Sequence, residues 1–335
     1  MTKVTIKDIA KVADVSYATV SRALSGSPEV GAETRKRVLQ ICQEMGYTTN
    51  YVAQSMVLKR TKLIGLIMAS IDNPFMSELA YYVELRAREM GYSLVLCNSS
   101  SDLEQEKHVF QLLVGRQVDG IILMPSHADS YPAIKEYAAV VPTVFMNENL
   151  RDLPESYVSV DNYRGTRIGT EYLHSIGHRD ILYFGRRENS VTHQLRAEGY
   201  LDACADLDIE PHIYNSSYTS SSISAGYEMA GQLFQNPLRQ TAIFAATDAL
   251  ALGVLGAAEE AGIRIPEDLS VMGFDNITYA GLPRINLTTI EQPKKSMGSL
   301  AVDMLLEKIN DPSVGYSHRI LAPSLVERGS CRKIN

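Results

Sequence analysis

Cysteine is scarce in this chain: Cys42, Cys97, Cys204 and Cys331 are the only four in 335 residues, widely separated and with no pair at metal-ligand or redox spacing. That excludes a disulfide scaffold and a zinc-binding knuckle, and it reads as isolated thiols in a reducing compartment. No apolar run reaches the roughly 18 residues needed to cross a bilayer, and no basic-then-apolar segment opens the sequence. The expectation is a soluble, cytoplasmic protein with no membrane partner. Catalytic signatures are missing too: there is no GxxxxGK(S/T), no GxSxG, no HExxH and no GxGxxG after a strand. His174 and His178 are four apart, but Gly177 and the apolar run from Asp180 place a helix end between them. The pair reads as a turn rather than as a metal site. Acids are plentiful, and no pair stands out by spacing. No metal, no cofactor and no enzymatic activity are expected.

Positive charge is also in short supply overall, with 32 Lys and Arg against 39 Asp and Glu and a net charge of −7. Its distribution is uneven. Residues 1–60 hold 9 basic against 5 acidic side chains, leaving 23 against 34 for the remainder. A small basic head on an acidic body fits a nucleic-acid contact confined to the head, while the body avoids phosphate.

The head explains itself locally. Thr5 can cap a first helix with Asp8 as its reciprocal partner, and Ile6, Ile9, Ala10 and Ala13 follow at helical spacing. Asp14-Val15 breaks the pattern, and Ser16 can cap a second helix from Tyr17 to about Leu24. The small or apolar Ala10, Val15, Val20 and Leu24 would let the two helices cross closely. The polar face of the second helix offers Ser16, Tyr17, Thr19, Ser21 and Arg22, hydroxyls and a guanidinium without an acid. Such a face suits a major groove, although an ordinary helical hairpin has the same spacing. A third helix, about Ala32 to Met45, shows Val38, Ile41, Cys42 and Met45 at core spacing, with Gly46 as its stop.

These residues carry a resemblance. Thr5-Ile-Lys-Asp-Ile-Ala, Val15-Ser-Tyr-Ala-Thr-Val-Ser-Arg, Thr34-Arg-Lys-Arg-Val, Gly46-Tyr47 and Asn50-Tyr-Val-Ala-Gln-Ser-Met are similar to the headpiece of the lactose-repressor (LacI/GalR) family of bacterial transcription regulators. The similarity runs on through nearly the whole chain. It implies that Tyr17 and Ala18 set base preference and that Arg22 reads a base. It also implies that Thr5, Ser16, Thr19, Ser21, Tyr47 and Asn50 hold phosphates of a nearly palindromic operator. The short amphipathic stretch Asn50 to Leu58 takes the place of the family's hinge helix, which orders when two copies meet in the minor groove. Met56 stands where an apolar wedge enters the duplex; most relatives carry Leu there.

From Leu63 onward, apolar runs and helical patterns alternate. The runs begin at Leu63, Ser93, Val118, Val141, Tyr157, Asp180, Thr241 and Leu269. Helical patterns include Met76–Met90, Leu103–Arg116, Tyr163–Ile176, Gln194–Leu207 and Ala249–Ala261. Continuous apolar strands alternating with helices predict parallel sheets covered on both faces, and the length exceeds one comfortable core. The fold class is therefore α/β, an all-α helix-turn-helix headpiece on a two-lobed, doubly wound body. The resemblance implies a periplasmic-binding-protein-like body with crossovers near Asp161-Asn162, Gln292 and Pro323. The domains are then residues 1–49 for the head, 50–60 for the hinge and 61–335 for the body. Its N-lobe takes about 61–161 and 292–323, and its C-lobe about 162–291 with the C-terminal end.

Four places in the body carry binding chemistry. Asn73-Pro-Phe75 follows the first strand, where an exposed ring could stack on a sugar. Arg196 opens a helix after a strand and offers a fork of donors to vicinal hydroxyls. Asp248 and Asp275 follow strands as acceptors. Each has a bland alternative: a core contact, a surface ion pair, an N-cap and a turn acid. The family's effector contacts fall at matching positions, and the resemblance adds Tyr218 in a Ser-rich loop. A carboxylate–guanidinium–aromatic pocket favours a neutral sugar or sugar derivative. A nucleobase is the alternative, but nucleobase-sensing relatives carry a further basic residue where Ser190 and Thr192 stand here, which favours the sugar. A sugar receptor with no DNA function is the alternative from another class. The sequence ends at Arg332-Lys-Ile-Asn without a leucine-heptad repeat, and a homodimer is expected.

Overall fold

The computed structural model describes residues 4–24, 27–47, 60–125, 127, 129–146, 154–186, 190–215 and 221–334. The chain divides into two compact units, Met1–Thr61 and Lys62–Asn335. In the first, α1 (Ile6–Ala13), α2 (Tyr17–Leu24) and α3 (Ala32–Glu44) enclose Ile9, Ala13, Val20, Ala23, Val30, Val38 and Cys42. The Asp8 carboxylate accepts from both the Thr5 N–H (2.9 Å) and the Thr5 hydroxyl (2.7 Å) at the start of α1. Asp14 ends that helix in the left-handed region, at φ 49°. Ser16 then accepts the Thr19 N–H at 3.0 Å, capping α2. Arg37, on α3, donates to the Ala13 carbonyl and so ties the third helix to the end of the first.

Among its described residues the second unit holds two six-stranded sheets. The N-lobe sheet is formed by β1 (Leu63–Met68), β2 (Ser93–Asn98), β3 (Gly120–Leu123), β4 (Thr143–Met146), β5 (Ser156–Val160) and β11 (His318–Leu321), in the order β11-β5-β4-β3-β1-β2, all parallel. The C-lobe sheet holds β6 (Ile181–Arg186), β7 (His212–Asn215), β8 (Ala242–Ala245), β9 (Ser270–Asp275), β10 (Thr288–Glu291) and β12 (Ser324–Val326). Their order is β12-β10-β9-β8-β6-β7, parallel except for β12 against β10. Helices α4 (Pro74–Glu89), α5 (Leu103–Gly115), α6 (Ser130–Ala138) and α11 (Lys294–Asn310) belong to the first sheet. Helices α7 (Asn162–Ser175), α8 (Val191–Asp206), α9 (Ile223–Leu233) and α10 (Asp248–Glu260) belong to the second. Inner strands such as β3, β4, β8 and β9 are buried along their whole length, as apolar runs covered on both faces must be.

Among the described residues the chain passes between lobes three times: from β5 into α7, from β10 into α11, and from β11 into β12. In each sheet the strand order reverses around one strand, β1 in the first and β6 in the second. Ligands of open parallel sheets lie outside the carboxyl ends of strands at that reversal. Asn73 follows β1, Arg196 lies on α8 after β6, and Asp248 opens α10 after β8, the neighbour of β6. Among the described residues no helix is long and apolar enough to cross a membrane.

Candidate functional site

In the head, α2 presents its polar side to solvent. Tyr17 is half exposed, Ala18 and Ser16 are exposed, and Thr19 and Ser21 are partly covered, while Val20 and Ala23 turn inward. The Arg22 guanidinium is exposed and pairs through Nε with Glu29 at 3.0 Å. An ion pair this open to water is worth ~0–1 kcal/mol, so it holds the guanidinium only weakly. Tyr47 packs partly against the head core. Asn50 and Met56 lie outside the described residues, as does Tyr218 in the body.

In the body, a buried polar cluster forms where β8, β9 and β10 end. Arg196, on α8, is fully enclosed. Its Nε donates to Asn162 Oδ1 (2.8 Å), its NH1 to the Ala246 carbonyl (2.5 Å), and its NH2 lies 3.6 Å from Asp275 Oδ1. The guanidinium stacks 3.7 Å over the Phe274 ring, a favourable face for a cation with little water around it. Burial disfavours its charge, and the Asp275 carboxylate opposes that effect. Asp275 also accepts from Gln292 Nε2 at 2.7 Å. Asp248 accepts from the Ile277 N–H (2.9 Å) and from the Thr289 hydroxyl (2.5 Å). Loss of water drives both carboxyls above the usual range; Asp248 is raised further by Asp275, and Asp275 is held back by Arg196.

Two side chains planted in the N-lobe reach the same place. Lys294, at the start of α11, donates to the carbonyls of Asp275 (2.9 Å) and Asn276 (2.6 Å). Glu78, on α4, lies 3.3 Å from Lys294 Nζ and accepts the Thr278 N–H at 2.7 Å. A third link runs from Asn73, whose Oδ1 caps α4 and whose amide donates to the Ser221 carbonyl at 3.2 Å. The Ser221 hydroxyl in turn meets His193 Nε2 at 3.3 Å. The arrangement sets fixed donors and acceptors side by side, the kind of lining that holds a small neutral molecule.

Residues 5–50 match the model of the bacterial regulatory proteins of the lacI family, and residues 170–331 that of the periplasmic binding protein-like domain. Over 332 residues, 98% of both chains, the sequence is 34% identical to the HTH-type transcriptional repressor PurR of Pasteurella multocida. The chain belongs to the lacI family of bacterial regulatory proteins. This lacI-family chain is likewise 34% identical to the ribose operon repressor of Escherichia coli, over 97% of its own length and 99% of that protein's. Among solved structures, the lac repressor dimer bound to operator and the anti-inducer ONPF matches with a TM-score of 0.87 at 29% identity, covering 99% of this chain and 100% of that one. The two-lobed α/β body and the helix-turn-helix head predicted from the sequence are the fold of this family. The relatives are regulators of transcription rather than enzymes.

Of the sequence-derived effector residues, the structure brings Arg196, Asp248 and Asp275 into one buried cluster and sets Asn73 at a link between lobes. One expectation changes, and two of the bland alternatives fall. Phe75 is not an exposed platform: as the second residue of α4 its ring is only 4% exposed and packs in the hydrophobic core with Leu79 and Val83. Arg196 is no surface ion pair either, being 2% exposed. Asp248 follows Thr247, whose hydroxyl is the actual cap of α10. Sequence reasoning missed Glu78, Lys294, Thr289, Ser221 and His193 as parts of the site, and it treated Asn162 and Gln292 only as crossover points. For Gln292 and Lys294 the available signal was their place directly beyond the end of β10, at a crossover between lobes. His193 is a buried imidazole in the vicinity where the sequence reading saw only Ser190 and Thr192.

Gly273 is required by this packing. A Cβ there would stand 2.1 Å from Asp248 Oδ1, an oxygen already fixed by Thr289. Gly273→Ala should destabilise the body by about 1–3 kcal/mol, as overpacking does. Urea unfolding of the purified variant measures it; a midpoint equal to wild type contradicts the close approach.

Proposed function

We propose that the protein is an effector-controlled transcriptional repressor that binds a near-palindromic operator as a homodimer, with a neutral sugar or sugar derivative as effector. The observation that carries this reading is the buried Arg196–Asp275–Gln292–Asp248 cluster beyond the strand ends. It offers forked donors and carboxylate acceptors, the set that polyhydroxylated ligands need. The name of the Escherichia coli relative, ribose operon repressor, supports a pentose. Tyr17, Ala18 and Arg22 read the major groove, and Thr5, Ser16, Thr19, Ser21, Tyr47 and Asn50 hold phosphates, one head per half-site. Met56 wedges into the minor groove between half-sites. Asn73, Phe75, Arg196, Tyr218, Asp248 and Asp275 line or support the effector site. A second copy would cover the exposed Tyr81, Leu96, Tyr227, Tyr279 and Leu282. The protein works in the cytoplasm. Effector bound between the lobes changes their relative position, and operator affinity follows because the two states bind effector differently.

One observation favours a nucleobase instead: His193, buried beside Ser221, supplies the basic group that the sugar reading lacks there. A thermal-shift screen of pentoses, hexoses and nucleobases on the purified chain separates the two, followed by mobility shift on its own promoter fragments with the hit. Stabilisation by a sugar and a ligand-dependent change in operator binding are expected. Stabilisation by nucleobases alone would replace the effector class, and a protein indifferent to every promoter fragment would remove the regulator reading.

A further inference from the structure

The turn after β9 holds its backbone in an unfavourable shape. Asp275 and Asn276 have φ of 129° and 50°, the side of conformational space that residues with a Cβ rarely occupy. Such a turn persists only where surrounding contacts over-determine it. Part of the support comes from the C-lobe itself: Asp248 accepts from Ile277 N–H, and Arg328 NH2 donates to Asn276 Oδ1 at 2.7 Å. The remainder comes from the other lobe. Lys294 takes the carbonyls of both strained residues, and Glu78 takes the Thr278 N–H while pairing with Lys294. Glu78 and Thr278 are 200 residues apart in sequence and sit on different lobes. The two N-lobe side chains are well covered, Lys294 at 9% and Glu78 at 22% exposure, so water competes weakly for them.

We infer that Glu78 and Lys294 are positioning residues for effector binding, holding the Asp275 turn in its binding shape only while the lobes are together. The inference rests on the reading of Asp275 as an effector contact and extends it. Lobe separation removes both carbonyl caps and one amide acceptor from a turn that is already strained. Asp275 then loses the backbone that aims it at Arg196 and Gln292. Effector affinity and lobe closure become one event: the site exists in the closed arrangement and is dismantled in the open one. A ligand that needs Asp275 therefore discriminates between the two states without touching the lobe interface itself.

The test uses the full chain as wild type, Glu78→Ala, Glu78→Gln, Lys294→Met and Asp275→Ala. The deciding measurement is ligand-free amide hydrogen exchange of the peptide spanning 276–282, with β8 and β9 as internal references for intact folding. Glu78→Ala and Lys294→Met should speed exchange in the turn at least tenfold and leave the reference strands unchanged. Glu78→Gln keeps an acceptor for Thr278 N–H and should retain most of the protection, which a general packing role would not predict. Exchange in the turn equal to wild type in both Glu78→Ala and Lys294→Met overturns the inference. Should Glu78→Ala not fold, the Gln and Met variants decide alone. Calorimetry with D-ribose as probe forms the second arm, where at least tenfold weaker binding is expected for Glu78→Ala and Lys294→Met. Normal D-ribose binding by Asp275→Ala sinks the placement of the site rather than the clamp. No binding by wild type sinks the pentose reading and leaves the exchange data to decide the clamp.

Discussion

Replacing Arg196 by alanine is expected to cost the body about 3–5 kcal/mol of stability and to abolish effector binding. The guanidinium is enclosed with two carboxyl groups, Asp275 within 3.6 Å and Asp248 close enough to feel it. Removing the cation leaves Asp275 buried with Gln292 and the more distant Lys294 ammonium as its support, and leaves the Asn162 and Ala246 acceptors without their donor. It also opens a cavity over Phe274, where the planar group was stacked. Arg196→Lys should recover little, since an ammonium reaches one of these partners at a time and does not stack as a plane. A more telling variant is the pair Arg196→Met with Asp275→Asn, which removes both charges together. It should regain much of the lost stability while remaining blind to effector. Urea unfolding followed by tyrosine fluorescence reads the first effect, and calorimetry the second. A loss below about 1 kcal/mol in Arg196→Ala would mean that the charge is solvated and the cluster is not a closed site. The same burial explains why this residue cannot serve as an isolated probe of effector chemistry: its loss is felt by the fold before any ligand arrives.

The parts of the molecule that were legible in the sequence are those whose signal is local. Leu63-Ile-Gly-Leu-Ile-Met could only be an inner strand, and it is one, covered by helices on both sides. Thr5 with Asp8, and Ser16 as a second cap, together with apolar residues at helical spacing, announced the two short helices of the head, and both caps are made. Arg196 was visible as a charged residue early in the helix after a strand, and Asp275 as one at the end of an apolar strand. What was not legible is non-local. The edge strand His318–Leu321 is mostly exposed and carries two cationic-type side chains in four residues; pairing with β5, and a stack of His318 on Tyr157 at 4.2 Å, make it a strand. The helix Ile223–Leu233 is alanine- and glycine-rich, with no charge period to announce it. Glu78 looked like one more acid on the first body helix, indistinguishable from Glu84 or Glu89. Only the approach of a turn two hundred residues later gives it a partner. Phe75 shows the reverse failure: its place beside a strand end suggested a platform, but the first turn of α4 aims the ring into the core.

Arg22→Ala is expected to weaken operator binding by about 1–3 kcal/mol, roughly five- to 150-fold, with little change on random DNA. Arg22 is the guanidinium of the described α2 face, and the other groups there, Ser16, Tyr17, Thr19 and Ser21, are hydroxyls that can serve phosphate and base alike. A forked donor aimed at a guanine edge discriminates among bases, whereas a phosphate contact would not. The free protein holds this side chain against Glu29 at 3.0 Å, so the measured loss is the contact with DNA less the small cost of leaving that carboxylate. Glu29→Gln isolates this correction: it should tighten binding to all DNA slightly, by removing an anion near phosphate, and leave the operator-to-random ratio where it was. Salt dependence supplies the second criterion. A base-reading arginine, once removed, leaves the slope of log affinity against log salt nearly unchanged, while loss of a phosphate contact lowers it by about one ion. Fluorescence anisotropy on operator and random duplexes at several salt concentrations measures both. Equal losses on the two duplexes, together with a shallower slope, would move Arg22 from the base edges to the backbone and leave Tyr17 and Ala18 to carry the discrimination.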